Sequence, residues 1–241
     1  MARKRKLESI KDYERALRNK YGKEVGENYK PWLRVSDVDS HGRSSIVHGI
    51  KSKRDHHFLS DIETRLFYFL EYSRYAVDIR EQFPLFPLDL VMQTAKAAAI
   101  PYPYVPRTKT PSVVTTDFLV TLRSGGYLAI AVKPSDKLCD ARVCEKLEIE
   151  RLWWEQLGVK WILVTEFQVP VPTANNLRWA SQPFRKDASL LTELREYTDE
   201  LTEYVHQIDI GKYEISSVIE TIAVDFDISG EPGIQIISAT L

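Results

Sequence analysis

Two apolar segments on either side of a tight glycine turn constrain the fold of this chain more than any other feature. Residues 113–120 (VVTTDFLV) and 127–134 (YLAIAVKP) have the composition of strands, and the turn Arg-Ser-Gly-Gly leads into the second. A helical segment runs from about Asp140 to Leu157, and residues 160–167 (KWILVTEF) have the composition of a further strand. A hairpin followed by a crossover helix predicts an α/β fold, with a mixed sheet flanked by helices on both faces.

The segment before the hairpin begins with a helix and continues as a strand. Ser60 or Asp61 can cap the helix, and Glu63 stands at capping-box spacing from Ser60. After Tyr75 the residues VDIREQFPLFPL have the composition of a strand interrupted by two prolines. Three other stretches give weaker signals. In residues 1–30 the apolar residues have helical spacing, and residues 31–58 indicate loop with short extended pieces. Residues 91–112 indicate a connection, because their apolar residues follow no clear period.

Prolines 170 and 172 mark a linker that divides the chain into two predicted domains. Residues 1–168 hold the predicted sheet together with a basic N-terminal segment. Residues 173–241 are expected to form a smaller, acidic, mainly helical interaction domain, with one amphipathic helix at 188–206.

The net charge of −1 hides a strong asymmetry along the chain. Residues 1–60 carry fifteen Lys and Arg against eight Asp and Glu, whereas residues 187–241 carry two against twelve. A solvated surface is the ordinary interpretation of such runs, but the basic residues of the first part are interleaved with Tyr, Trp and His, which favours contact with nucleic acid. The residues predicted to reach DNA phosphates are Arg43, Lys51, Lys53, Arg54, His56 and His57, with a metal-ligand role for the two histidines as the alternative.

Composition excludes several other classes of protein. Cys139 and Cys144 form no CxxC pair, so neither a disulfide framework nor a structural zinc site is indicated, and a reducing cytoplasm fits. The basic N-terminus runs into charged residues rather than an apolar stretch, which predicts no secretory signal. No apolar run approaches the ~20 residues of a membrane helix.

Four charged residues occur where an ordinary core would not place them. Asp117 lies within an apolar strand, Lys133 closes the strand that the hairpin turn brings back beside it, and Glu63 and Glu150 interrupt apolar helix stripes. Each has an ordinary interpretation: Glu63 as a capping acid, Glu150 paired with Lys146, and Lys133 extending into solvent. Their occurrence together, in this order of elements, favours a shared site.

Carboxylates and a lysine at one sheet edge suit magnesium-assisted hydrolysis of a phosphodiester. Magnesium prefers hard oxygen ligands and keeps several waters, one of which can be the nucleophile. Lys133 would orient or deprotonate that water and offset charge on the phosphorane. The chain contains no phosphate-binding glycine loop, no GxSxG and no HExxH motif.

Several separate motifs, in the same order, resemble the TnsA family, the endonuclease subunits of heteromeric bacterial cut-and-paste transposases. The motifs lie within roughly residues 28–168, and they are YKPWLRVSDVDSHGRSS, HHFLSDIE, DIREQFPL, TTDFLV, AVKP and EKLEIERLWW. The resemblance implies a restriction-endonuclease-like domain and a winged-helix-like C-terminal domain. It also implies cleavage of double-stranded DNA at the 5′ ends of the element, while a TnsB-like transposase cuts and joins the 3′ ends. A TnsC-like ATPase regulator would engage the C-terminal part.

The resemblance also implies roles for particular residues. By motif, the family's helix glutamate falls on Glu63, its strand aspartate on Asp117, its lysine on Lys133 and the glutamate of the later helix on Glu150. Glu63, Asp117 and Lys133 are the implied catalytic residues, with Mg²⁺ as cofactor and Mn²⁺ as its substitute.

Ala131 departs from the family pattern, which has Glu, Asp or Gln two residues before the lysine. Alanine has no ligand atom, but the backbone carbonyl of Val132 remains available as a metal ligand beside Glu63, Asp117 and Glu150. The leading hypothesis is a transposon-end endonuclease that works with the TnsB- and TnsC-like partners, in the bacterial cytoplasm and on nucleoid DNA. Two alternatives stay open: a non-catalytic subunit that bridges those partners, and a stand-alone restriction or repair nuclease.

Overall fold

A computed structural model gives the architecture of the chain and describes residues 4–38 and 43–186. The chain divides into two compact units, residues 1–174 and 175–241. The amphipathic helix expected at 188–206 and the winged-helix-like C-terminal fold lie outside the described residues. The domain division at residues 168–173 therefore stays a prediction.

The described residues form α-helices and strands in an order that matches the predicted one in its central part. In chain order the elements are α1 (Ile10–Arg18), β1 (Ser45–His48), β2 (Asp55–Phe58), α2 (Asp61–Tyr72), β3 (Ala76–Pro84), α3 (Leu88–Ala97), β4 (Thr115–Leu122), β5 (Tyr127–Val132), α4 (Ala141–Gln156), β6 (Lys160–Val164) and α5 (Val171–Lys186).

The central sheet has four strands in the order β3-β4-β5-β6. β3 pairs antiparallel with β4, and β4 pairs antiparallel with β5. β6 lies parallel to β5 because α4 carries the chain back across the sheet. Gly158, with a φ of +67°, follows α4 in the left-handed conformation that glycine adopts without strain. The predicted mixed α/β sheet is confirmed.

Helices cover both faces of this sheet, because successive strand residues point to opposite sides. On the face of Leu119 and Ala129, α3 and α4 supply a core that includes Ile149 and Trp153. On the face of Phe118, the rings of Phe58 and Phe67 pack from β2 and α2. The sheet is therefore held between two different layers, one aliphatic and indole-rich and one of aromatic rings packed at tilted angles.

Three local predictions differ from the structure. The helix α3 occupies part of the stretch predicted as a connection, because it buries only a short stripe centred on Val91 and Ala95 and so shows no extended period. Within the stretch that has helical spacing, the helix α1 is confined to Ile10–Arg18, and it buries Tyr13 and Ala16. At the predicted linker, α5 begins at Val171, directly after Pro170, and Pro172 lies in its first turn, where a proline is tolerated.

A buried ion network joins the β1–β2 hairpin to β3. Glu81 is fully buried, and its carboxylate accepts hydrogen bonds from Arg54 Nη1 at 2.8 Å, Arg54 Nη2 at 2.6 Å and His56 Nδ1 at 2.7 Å. Burial alone would raise the pKa of Glu81, but His56 and Arg54 hold it well below its usual range. Arg54 and His56 were expected to contact DNA. They are instead buried between the hairpin and β3, because their side chains donate the hydrogen bonds that stabilise the buried Glu81 carboxylate.

The outer edge of β3 is covered rather than left open. Arg54 Nη2 donates to the carbonyl of Ile79 at 2.9 Å, the Tyr29 hydroxyl to that of Glu81 at 2.9 Å and the Trp32 amide to that of Gln82 at 3.1 Å. An unpaired strand edge invites pairing with other chains, and these contacts satisfy it. They also bring the N-terminal segment and the hairpin to the same strand.

Two smaller findings concern the thiols and the helices. Cys139 and Cys144 are both free and exposed. Among the helices of the described residues, none is both long and apolar enough to cross a lipid bilayer.

We expect Glu81→Ala to lower the free energy of unfolding by about 3–5 kcal/mol, because it leaves the buried Arg54 guanidinium without its counter-ion. Urea denaturation followed by circular dichroism measures this. The matched control is Glu24→Ala, which removes a half-exposed surface carboxylate paired with the exposed Lys20 and should leave the midpoint unchanged. Equal midpoints for the two variants would contradict the role given to the buried network.

Candidate active site

Asp117 and Lys133 meet beyond the paired part of β4 and β5. Asp117 Oδ2 accepts a hydrogen bond from the Val132 amide at 2.7 Å and from Lys133 Nζ at 3.0 Å, while Lys133 Nζ also donates to the Val132 carbonyl at 2.8 Å. The carboxylate is almost fully buried, with 7% of the residue exposed. The structure therefore brings together the aspartate and the lysine that the hairpin turn was expected to place side by side.

Glu63 lies at the start of α2 and acts there as the capping acid. Its Oε1 accepts from the Ser60 hydroxyl at 2.7 Å, its Oε2 accepts from the Leu59 amide at 3.0 Å, and its own amide donates back to Ser60 Oγ at 3.2 Å. Burial, and then the negative charge of Asp117, raise the pKa of Glu63 to about 7. The helix cap thus fixes a carboxylate in a site where its charge is costly.

Gln82 connects the two carboxylates, and it is not among the site residues predicted from the sequence. Its Nε2 lies 3.3 Å from Glu63 Oε2 and 3.3 Å from Asp117 Oδ1. The signal available in the sequence was the run Arg80-Glu81-Gln82, three successive polar residues within a predicted strand, and all three are buried here. Buried polar side chains need partners, so such a run indicates a site or a network.

Glu150 projects from the middle of α4, and its Oε1 accepts from the Trp161 indole nitrogen at 3.0 Å. Burial, and then the charge of Asp117, raise the pKa of Glu150 to about 8, although Lys133 acts in the opposite direction. The pairing with Lys146 that was the ordinary interpretation is replaced by this contact with β6. Trp161 carried no signal in the sequence, because an indole in a strand usually reports core packing.

Lys133 is the cation of the site. Burial would lower the pKa of Lys133, but the carboxylates of Asp117, Glu150 and Glu63 outweigh that effect and raise it. In the metal-free site the side chain is therefore an ammonium at neutral pH, a hydrogen-bond donor and a positive charge beside Asp117.

The remaining candidates for DNA contact lie on and around the β1–β2 hairpin. Arg43 is exposed, and so is Lys53, whose Nζ lies 3.9 Å from Glu27 Oε1. Lys51 instead donates to main-chain carbonyls after α2, including that of Ala76 at 2.7 Å. His57 is half-buried, and burial lowers its pKa.

The oxygen donors of the site have the chemistry that a hard divalent cation requires. Among the residues that the structure describes, no three His, Cys, Asp or Glu side chains are grouped so as to hold a metal ion. Glu63 and Asp117 are nevertheless linked through the amide of Gln82. The Val132 carbonyl and Asp117 Oδ2 both accept hydrogen bonds from the same atom, Lys133 Nζ. Two carboxylates and a carbonyl suit Mg²⁺, which binds few protein ligands and retains several waters.

Comparison with known proteins gives two results. A family model described as the TnsA-like endonuclease N terminal matches residues 73–166. The transposon Tn7 transposition protein TnsA of Escherichia coli is 34% identical over 218 residues, which cover 89% of this chain and 77% of that protein. The matched segment of the model contains Asp117, Lys133 and Glu150.

We expect the metal-free protein to lose stability as the pH rises from about 5 to about 8.5, since ionisation of Glu150 is more costly in the folded than in the unfolded chain. Glu150→Gln keeps the shape and removes the ionisation. It should therefore gain on the order of 2 kcal/mol over the wild type at the upper pH and little at the lower pH.

Urea denaturation at both pH values measures the effect. Glu155→Gln, at the exposed end of the same helix, is the control and should follow the wild type at each pH. A stability difference between Glu150→Gln and the wild type that is the same at both pH values would contradict the assignment.

Proposed function

The chain belongs to the TnsA family of endonucleases, and from this premise we propose that it makes a magnesium-dependent cut at the 5′ ends of a transposon. The observation that supports this most directly is the 3.0 Å contact between Lys133 Nζ and Asp117 Oδ2. An ammonium and a carboxylate held together where the two central strands β4 and β5 stop pairing supply both a charge for a phosphate and a ligand for a cation.

In this proposal Glu63, Asp117 and the Val132 carbonyl hold Mg²⁺, for which Mn²⁺ can substitute. When bound, the ion polarises the scissile phosphate and lowers the pKa of a coordinated water. Lys133, an ammonium in the metal-free site, donates to a phosphate oxygen or to the attacking water and offsets charge on the phosphorane. Glu150, the further ligand expected from the sequence, accepts from the Trp161 indole through Oε1 alone, and a bound cation would favour its ionised form.

The substrate in this proposal is double-stranded DNA at the element ends, and the cut is made together with a TnsB-like transposase and a TnsC-like ATPase regulator that engages the C-terminal domain. Escherichia coli TnsA carries the name of a transposition protein, and the match extends over most of both chains. The reaction would take place in the bacterial cytoplasm, on nucleoid DNA. A reconstituted cleavage assay with and without the transposase separates this function from that of a stand-alone nuclease.

Asp117→Asn and Lys133→Ala should each reduce 5′-strand cleavage at transposon ends at least ~100-fold, because each removes a group that holds or complements the metal ion. Glu63→Gln should behave similarly. The measurement is strand cleavage of end-labelled DNA with the transposase, the regulator and Mg²⁺.

The controls are Asp136→Asn and Lys137→Ala, an exposed pair close to Lys133 in sequence, which should cleave at the wild-type rate. Excision products that remain unchanged in Asp117→Asn and Lys133→Ala would end the catalytic proposal. They would favour instead a non-catalytic subunit that only bridges its partners. The observation behind that alternative is the buried Ala131, which offers no ligand atom where the family has Glu, Asp or Gln.

We further propose that Arg43 and Lys53 contact DNA phosphates, and that the half-buried His57 is a further contact. The double variant Arg43→Ala/Lys53→Ala should weaken binding of duplex DNA evenly across sequences and reduce the salt dependence by about two ions. Fluorescence anisotropy over a range of salt concentrations measures the slope. The control Lys96→Ala/Lys146→Ala removes two exposed charges on α3 and α4, and an equal loss in that variant would contradict a localised contact.

A further inference from the structure

The side chain of Gln82 is held in a single orientation between the two acidic residues of the site. Its Oε1 accepts a hydrogen bond from the Thr115 hydroxyl at 3.1 Å, which directs the amide nitrogen away from Thr115. The nitrogen then lies 3.3 Å from both Glu63 Oε2 and Asp117 Oδ1. An amide group has two N–H donors, so one hydrogen is available for each carboxylate.

The backbone at Gln82 is adapted to this position. Its φ is +47°, in the left-handed region that non-glycine residues seldom adopt, and its carbonyl accepts from the Trp32 amide at 3.1 Å. Such a conformation costs on the order of 1 kcal/mol or more, and it persists where surrounding contacts determine it. Gln82 is also 2% exposed, so its amide can satisfy its hydrogen bonds only within the protein.

The neighbours of Asp117 in the sheet explain why this amide comes from β3. In the β3–β4 ladder the pairs on either side are Glu81 with Phe118 and Phe83 with Thr116, so Gln82 stands beside Asp117. In the β4–β5 ladder Ile130 pairs with Phe118, so the next residue, Ala131, lies on the other side of Asp117. A methyl group offers neither donor nor acceptor, and the side-chain hydrogen bond at Oδ1 is therefore made by Gln82.

An uncharged donor between two carboxylates has a specific electrostatic consequence. It offsets part of the repulsion between the two anions through hydrogen bonds, yet it adds no positive charge. A lysine or arginine in that place would neutralise an acid and compete with a cation. The amide keeps the carboxylates close while the site retains its attraction for a divalent ion.

We propose that Gln82 is a positioning residue of the metal site, whose amide holds the Glu63 and Asp117 carboxylates at the separation at which both bind one divalent cation. The inference rests on the proposed function, because it takes those carboxylates as the metal ligands. Gln82 acts through them and makes no contact with the DNA.

The test is the affinity of the purified full chain for Mn²⁺, followed by electron paramagnetic resonance in the absence of DNA. Gln82→Met preserves the length and volume of the side chain but removes the amide. It should weaken Mn²⁺ binding about 10- to 100-fold, as does the loss of other groups that orient metal ligands. Thr115→Val leaves the amide but removes its anchor, and it should cause a smaller loss in the same direction.

Gln93→Met, on the exposed surface of α3, is the matched control and should bind Mn²⁺ like the wild type. Wild-type affinity in Gln82→Met, with an unchanged thermal midpoint, would overturn the role of Gln82 and leave the proposed nuclease intact. Equal Mn²⁺ binding by the wild type and Asp117→Asn would overturn both proposals. Weaker binding in Gln82→Met together with a wild type that binds Mn²⁺ but never cuts transposon ends would overturn only the proposed function.

Discussion

A carboxylate buried at the end of a strand pair is the constraint on which the rest of this structure depends. An unpaired anion at Asp117 would cost several kcal/mol, so the surrounding backbone and side chains must supply donors. The last pair of the β4–β5 ladder at this end joins Phe118 and Ile130, and beyond it the Val132 amide donates to the Asp117 side chain. The hydrogen bond that compensates the charge thus also positions the Val132 carbonyl and brings Lys133 into the site.

The strand β3 links this site to the surface that we propose for DNA. Two successive residues have different tasks: Glu81 binds Arg54 and His56 of the hairpin segment, and Gln82 bridges the acidic groups of the site. Because both residues belong to one strand, the position of the hairpin and the position of the carboxylates share one rigid support. Exposed charges at Arg43 and Lys53 are carried by the hairpin region, so their placement depends on the buried ions beneath it.

The site as a whole has an excess of negative charge that burial makes costly. Lys133 supplies the positive charge: it forms an ion pair with Asp117, and the charges of Glu63 and Glu150 also stabilise its ammonium form. The raised pKa values of Glu63 and Glu150 follow from burial together with the charge of Asp117. A bound divalent cation would reverse this balance, because it stabilises the ionised form of each carboxylate. The arrangement therefore lowers the stability of the metal-free fold and favours the binding of a cation.

The sequence by itself determined the mixed sheet, the capped helix of Glu63 and the pairing of Asp117 with Lys133, because each depends on local spacing: a glycine turn, a capping box and a strand alternation. Only the tertiary structure decided which charged residues face solvent and which hold the fold together. Arg54 belongs to a basic run, yet it is buried because Glu81 lies opposite it after folding. Gln82 has no periodic signal, since its role depends on the distance between two acids that are far apart in the chain and meet only when α2 and β4 pack.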